Sequence, residues 1–441
     1  MADLQVEAKR EAVLRVLRGE TLETVASEVQ VAPHTLQAWH DLALAAMVDV
    51  LPRPALSRGR SRLILSALVG AIYYFSNPEP HNPFDYTLRI AQAMLTGHLG
   101  LSEAPPGWLN EMIPWQNHWY SAFPLGSALL MLPFALLQRT GLSHDNPSAL
   151  VVALIAAGCT AALDVLAGHW PLSEGRRRLV VLFPTLATWM WTNLAFGGAW
   201  HINLGLAVLG QVVALAFILA RRQAWWAGLG FAMAFGCRAE TLVVLPALLA
   251  LLWPDRKDLI RFLVPVVVLG LLTLGYNAAR FGSPFDFGYM HIPGVSNEGW
   301  YQHGLFSVQA VPGNAHEMLF TGWRLRPQYP YVFPTGFGGC IFLSCPYLFY
   351  LLRRGARDPK TVRIAWGAVG LLLVALWTHG NPGGWQFCYR YAMLLLPWFS
   401  LLFLETSPVR VSRLEWGVFG LSVTINLWAT WLFLWTKYVQ P

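Results

Sequence analysis

Apolar runs of 13–22 residues, several of them short of the about 20 of an untilted membrane helix, alternate with short basic stretches along this chain of 441 residues. Hydrophobic residues make up 55% and charged residues only 12%, against about 25% charged in an average globular chain. That balance excludes a disordered chain and argues against an ordinary soluble enzyme. The expected architecture is all-α: one large polytopic membrane domain. The charges are uneven. Residues 1–60 hold seven Lys/Arg and eight Asp/Glu, so the chain begins with a small soluble segment. Its mixed charge and lack of an apolar h-region do not fit a signal peptide.

The apolar segments are 62–76, 119–138, 148–168, 179–196, 201–220, 224–236, 239–253, 260–279, 331–352, 364–378, 389–404 and 415–436. Basic clusters lie at Arg53/Arg58/Arg60/Arg62, Arg176–Arg178, Arg221/Arg222, Arg256/Lys257/Arg261, Arg353/Arg354/Arg357/Lys360/Arg363 and Arg410/Arg413. The positive-inside rule assigns all of them to the cytoplasm. An even number of crossings must then separate neighbouring clusters. Four intervals satisfy this, and Arg62 to Arg176, with three segments, does not. Either 119–138, broken by Pro124 and Pro133, dips in from outside and returns, or 224–253 is one long kinked span with Arg176–Arg178 outside. The first reading gives about 11 transmembrane helices with a cytoplasmic N-terminus. It divides the chain into a 1–50 cytoplasmic helix-turn-helix-like module, a 51–61 basic linker and a 62–441 transmembrane domain. The large external loops are then 77–147, 280–330 and 379–388.

The polar side chains gather in those external segments, whereas a transporter would tend to place them at the midplane. HNPFDYTLRIAQAMLTGHLG (81–100) has the apolar spacing of an interfacial amphipathic helix. Asp85 begins it, as a helix cap or as a functional carboxylate. The next stretch, 101–126, is rich in Trp and Pro. Trp108, Trp115, Trp119 and Tyr120 suit headgroup anchoring as well as substrate lining, and Glu111 and His118 are exposed polar residues by default. Asp286 sits in a tight turn, RFGSPFDFGY. HGNPGGWQFCYRY places Trp385, Gln386, Arg390 and Tyr391 at the mouth of a span. Arg390 there either snorkels to lipid headgroups or grips a substrate phosphate. The five cysteines, Cys159, Cys237, Cys340, Cys345 and Cys388, form no CxxC pair and read as buried thiols, with neither a zinc site nor a disulfide framework.

FDYTLRIAQAMLTGHL, WYSAFPLGSALLMLPF, NAARFGSPFDFGY and GGWQFCYRYAMLLLPW, in that order, resemble the GT-C superfamily of membrane glycosyltransferases. Within it they are similar to bacterial relatives of protein O-mannosyltransferases and lipid A aminoarabinose transferases. The resemblance covers roughly 62–436. It implies a polyprenyl-phosphate sugar donor, a glycan, lipid or protein acceptor, chemistry on the outer face of a bacterial cytoplasmic membrane, and an essential aspartate at Asp85. Many members follow that Asp with Glu, where this chain has Tyr86. Oligosaccharyltransferase-like members carry a second acidic site, where this chain has Gly198-Ala199-Trp200-His201. Both departures weigh against a bound divalent metal, so no cofactor is expected. The chemistry needs a base, for which Asp85 suits, and cations for the departing phosphate, for which Arg390 and Arg238 suit. His118 and His201 are further candidates for binding sugar or acceptor. The rival class is a transporter or flippase of a lipid-linked sugar, whose internal repeats this sequence lacks.

Residues 7–46 resemble a transposase-type helix-turn-helix. Thr21 caps a helix over 22–29, Val31, Leu36 and Trp39 form the core of a second, and Gln30 replaces the usual turn glycine. The second helix, 32–46, has no Lys or Arg, and residues 1–50 hold four basic against eight acidic residues. Phosphate contacts dominate DNA affinity, so DNA is not the expected partner and an interaction module is.

Cysteines introduced beside Arg177 and Arg221 should resist a membrane-impermeant thiol reagent applied from outside, because both clusters are assigned to the cytoplasm. External labelling next to Arg177 would restore 119–138 as a span.

Overall fold

A computed structural model describes residues 2–37, 39–40, 43, 55–142 and 144–439. Residues 44–54, which include Arg53, the end of the expected 1–50 module and the start of the expected 51–61 linker, lie outside them. The N-terminal helices are Ala2–Leu17 and Leu22–Glu28, the second capped by Thr21, whose side chain accepts from the Thr24 N–H. Gln30 takes the left-handed turn conformation (φ 55), and residues 33–37 are helical again. Ala12, Val25, Ala26 and Leu36 form a small buried cluster against Val31 and Trp39, separate from the main core. Ala55–Tyr74 is one continuous helix, which takes in the second part of the expected 51–61 linker.

Five described helices are long and apolar enough to cross a membrane: Ser148–Ala167, Ala199–Arg221, Arg256–Phe281, Pro359–Thr378 and Arg413–Trp435. Shorter apolar helices cover Leu125–Arg139, Ala224–Cys237 and Ala239–Leu252. Helices beginning beside the basic clusters carry side-chain caps. Ser173, Asp255, Asp358 and Ser412 each accept a backbone N–H of the following turn, which satisfies groups that lipid could not.

Several expected apolar spans are broken. Residues 179–196 divide into Glu174–Leu186 and Met190–Ala195. Residues 389–404 open as a tight turn, Arg390–Leu395, before Leu396–Thr406. The segment 331–352 is not one helix: it comprises strands Val332–Phe333 and Phe337–Gly338, a helical turn Ile341–Ser344 and a 3-10 stretch Pro346–Leu352. Its Pro334 and Pro346, with Gly336, Gly338 and Gly339, interrupt helical hydrogen bonding despite the apolar composition.

At Arg238 the chain turns back. That residue is extended (φ −142), and Leu251, near the end of the returning helix, borders the same cavity as Ile218 and Arg222. The helices 224–237 and 239–252 therefore run antiparallel and are not one continuous helix. Helix Leu125–Arg139 starts against Gly236 and ends with Arg139 donating to the Leu95 carbonyl and Gln138 to Asp145. Both ends thus meet segments on the Arg238 side. The contact at its start is backbone on backbone: a Cβ on Gly126 would come within 2.6 Å of Gly236.

At the opposite end, a buried ion network joins four segments. Arg176 pairs with Glu415 and donates to the carbonyls of Pro408 and Arg410. Arg353 pairs with the same carboxylate at 2.7 Å, and the Tyr347 hydroxyl donates to it at 2.8 Å. Arg62 and Arg177 share Asp164, each at 2.7 Å.

Glu415→Ala would leave the buried Arg176 and the half-buried Arg353 without their carboxylate. It should cost about 3–5 kcal/mol, read by denaturation in detergent, while exposed Arg413→Ala stays within about 0.5 kcal/mol.

Candidate functional site

The polar residues collect where helices stop. Arg238 is the first residue after Ala224–Cys237. Its Nε pairs with Glu240 Oε1 at 2.8 Å. Arg390 opens the turn after strand Gln386–Phe387, which pairs in parallel with Phe337–Gly338. Gln386 is fully buried and fixes this loop: it donates to the Phe337 and Pro382 carbonyls and accepts the Arg390 N–H at 3.1 Å. Arg390 Nη1 donates to the Trp385 carbonyl at 3.3 Å, and its Nε completes no hydrogen bond. Both guanidiniums lie over one ring, 5.1 Å (Arg238) and 5.2 Å (Arg390) from the centroid of Tyr391. Two buried like charges repel, so this is a place where an anion is favoured.

Two histidines face these cations. His201, in the first turn of Ala199–Leu215, is buried against Phe196 and the Trp385 backbone, and neither ring nitrogen completes a hydrogen bond. His379 follows the end of Pro359–Thr378 and sits among Tyr289, Tyr301, Phe306 and Tyr391. Burial holds its pKa below the usual histidine value, with Arg238 and Arg390 adding to the effect and Asn381 and Glu240 opposing it. The Tyr289 and Tyr301 hydroxyls bond at 2.8 Å.

Glu111 approaches from the first loop. Its Oε2 accepts from Trp200 Nε1 at 2.6 Å. Burial raises its pKa, while the Trp200 bond, Arg390 and Arg238 pull the other way. Glu111 is therefore in electrostatic reach of both arginines. Trp200 packs on Phe84, Tyr86 and Phe123, so this carboxylate stands on an aromatic base.

Asp85 has a different setting. It occupies the position before helix Tyr86–Leu95 but makes no side-chain cap bond. It accepts from Arg89 Nε, one turn on, at 2.7 Å. Among the described residues no hydrogen bond or ion pair joins it to Arg238 or Arg390. The next residue, Tyr86, packs on Trp200, the donor to Glu111.

The other sequence candidates disperse. His118 lies in the hairpin Met112–Trp115/His118–Ser121, bonded to the Gln116 carbonyl and stacked on Tyr120. Tyr120 packs on Phe281 and fills the space beside Gly100. Asp286 clamps its own turn, accepting from the Gly288 N–H and pairing with His291, each at 2.7 Å. Burial pushes its pKa up, but His291, Gly288 and Arg280 together hold it below the usual value. Glu240, Tyr289, Tyr301, Arg89 and His379 belong to these surroundings although sequence reasoning did not select them as site residues. Glu240, two positions from Arg238, and His379, a polar residue opening the 379–388 loop, carried a local signal. All five cysteines are buried and free. Among the described residues no cluster of His, Cys, Asp or Glu is arranged to hold a metal.

No family model and no curated protein matches the sequence. Among solved structures, the chain is similar to the crystal structure of ArnT from Cupriavidus metallidurans bound to undecaprenyl phosphate. The identity is 14%, the TM-score 0.48, and the match covers 84% of this chain and 64% of that one.

A carboxyl whose folded pKa is raised favours the folded state at low pH and disfavours it once pH exceeds that pKa. Glu111→Gln keeps the Trp200 acceptor and removes the buried charge. It should raise the melting temperature at pH 8, and the gain should vanish towards pH 4, where wild-type Glu111 is neutral. A constant difference across that range would contradict the burial argument.

Proposed function

We propose that this protein is a GT-C-type membrane glycosyltransferase, which moves a sugar from a polyprenyl-phosphate donor to an acceptor at the external face of a bacterial cytoplasmic membrane. The observation that carries this reading is the pair Arg238 and Arg390, both over the ring of Tyr391, at one end of an apolar helical bundle. Their neighbours include hydroxyls and histidines suited to a sugar. The topology proposed with it has about 11 crossings and the basic clusters in the cytoplasm. It is supported by single helices that place Arg222 opposite Arg238 and Lys360 opposite His379.

In the proposed reaction the acceptor hydroxyl attacks the anomeric carbon. The bond from that carbon to the phosphate oxygen breaks, and the electron pair leaves with the polyprenyl phosphate. Arg238 and Arg390 stabilise that departing charge. The hydroxyl proton goes to a carboxylate. Asp85 is the proposed base, because it matches the essential aspartate of the resembled family and Arg89 fixes its orientation. Glu111 is the second reading, favoured by its reach to both arginines.

A transfer assay in membranes with a panel of polyprenyl-phosphate sugars tests the reading. Asp85→Asn should reduce turnover on the order of 10²–10⁴-fold with donor binding kept, and Glu111→Gln should retain most activity. The reverse pattern moves the base to Glu111. Arg390→Lys should weaken donor binding, since charge remains but the planar fork is lost. Movement of intact donor across the bilayer without transfer would sink the enzyme reading in favour of a flippase.

A further inference from the structure

The chain segments that bear the Arg238–Arg390 cluster carry a second polar cavity at their other ends. Helix Ala224–Cys237 separates Arg222 from Arg238 by about 20 Å, and Pro359–Thr378 separates Lys360 from His379 by about 30 Å, at roughly 1.5 Å per residue. His201 begins the helix that ends near Ile218 and Leu219, and Arg390 begins the stretch that ends near Glu405. The far cavity has a volume of 310 Å³ and is bordered by Ile218, Leu219, Arg222, Leu251, Lys360 and Ile364, among others. It shares no residue with the proposed donor site.

Its carboxylates are already occupied. Asp358 accepts from Lys360 N, Thr361 N and Thr361 Oγ1. Glu405 accepts from Trp170 Nε1 and the Asp358 N–H. Arg357 is spent on the carbonyls of Leu404 and Ser407. Arg222 and Lys360 differ: among the described residues neither side chain completes a hydrogen bond or an ion pair. Two unengaged cations therefore rim a cavity with an aliphatic wall. Exposed Trp225, Trp226 and Trp253 flank the same end of the bundle, and exposed tryptophans favour the headgroup level of a bilayer.

We propose that this cavity is a binding site for an anionic glycerophospholipid, with Arg222 and Lys360 holding its phosphate and the Leu219–Leu251–Ile364 wall meeting its acyl chain. The cations supply the selectivity, because two point charges at a headgroup favour net negative lipid over zwitterionic lipid. The aliphatic wall argues for an amphiphile over a free phosphate, which would gain nothing from it.

Native mass spectrometry of the purified full chain, titrated with dioleoyl-phosphatidylglycerol or dioleoyl-phosphatidylcholine, tests the site. Wild type should retain phosphatidylglycerol with a preference on the order of tenfold. The double variant Arg222→Ala/Lys360→Ala should lose that preference, whereas Arg221→Ala/Arg363→Ala, which removes cations outside the cavity, should keep it. Leu219→Trp fills the wall and should weaken both lipids without a change in charge. If the double alanine variant does not fold, Arg222→Gln and Lys360→Gln singly should each reduce the preference by about threefold. Equal retention of the two lipids, an undiminished preference in the cavity variants, or displacement of phosphatidylglycerol by millimolar inorganic phosphate would overturn the proposal, the last in favour of a soluble-anion site.

Discussion

The Glu415 carboxylate holds together parts of the chain far apart in sequence. Arg176 reaches it from the start of one helix, Arg353 from the end of a 3-10 stretch, and the Tyr347 hydroxyl from within that stretch. A charge buried in such surroundings is tolerated only when paired and hydrogen-bonded. Here every partner also donates to, or belongs to, a different segment. The network therefore sets how the helices following Ser173 and Ser412 meet, and with them the level at which helices stop at the other end.

At that other end the charge balance is reversed. Arg238 has Glu240, whereas among the described residues Arg390 has carbonyl, hydroxyl and ring partners and no carboxylate. Both guanidiniums lie over one tyrosine ring, whose negative face attracts them. This arrangement tolerates a second cation without a carboxylate of its own. Arginine suits it better than lysine, since a weakly hydrated planar group can lie against a ring while its remaining N–H groups stay directed outward.

The sequence made the apolar segments and the basic clusters legible, because both are compositional and local. It also marked Arg238, Arg390 and Tyr391 as polar residues at the mouths of spans. The interrupted segments at 179–196 and 331–352 were not legible as such. Apolar composition counts side chains, whereas Pro334, Pro346 and the nearby glycines act through backbone hydrogen bonding. Asp85 illustrates a second limit. Its place before an amphipathic helix was readable, but its pairing with Arg89 rather than with a backbone N–H depends on side-chain conformation. Tyr289 and Tyr301 join the cluster by long-range folding of the 280–330 loop, where they meet His379 at the start of 379–388, and no local pattern gives notice of that meeting.

The backbone contact between Gly126 and Gly236 has a consequence for how this architecture can vary. One residue inserted in either helix turns everything beyond it by about 100°, and would swing a side chain into a gap that admits none. Insertions in 101–111, before the hairpin, displace no helix and leave the contact untouched. Length variation among chains built this way should thus be asymmetric: free in the aromatic loop, and closed in the two helices that meet at these glycines.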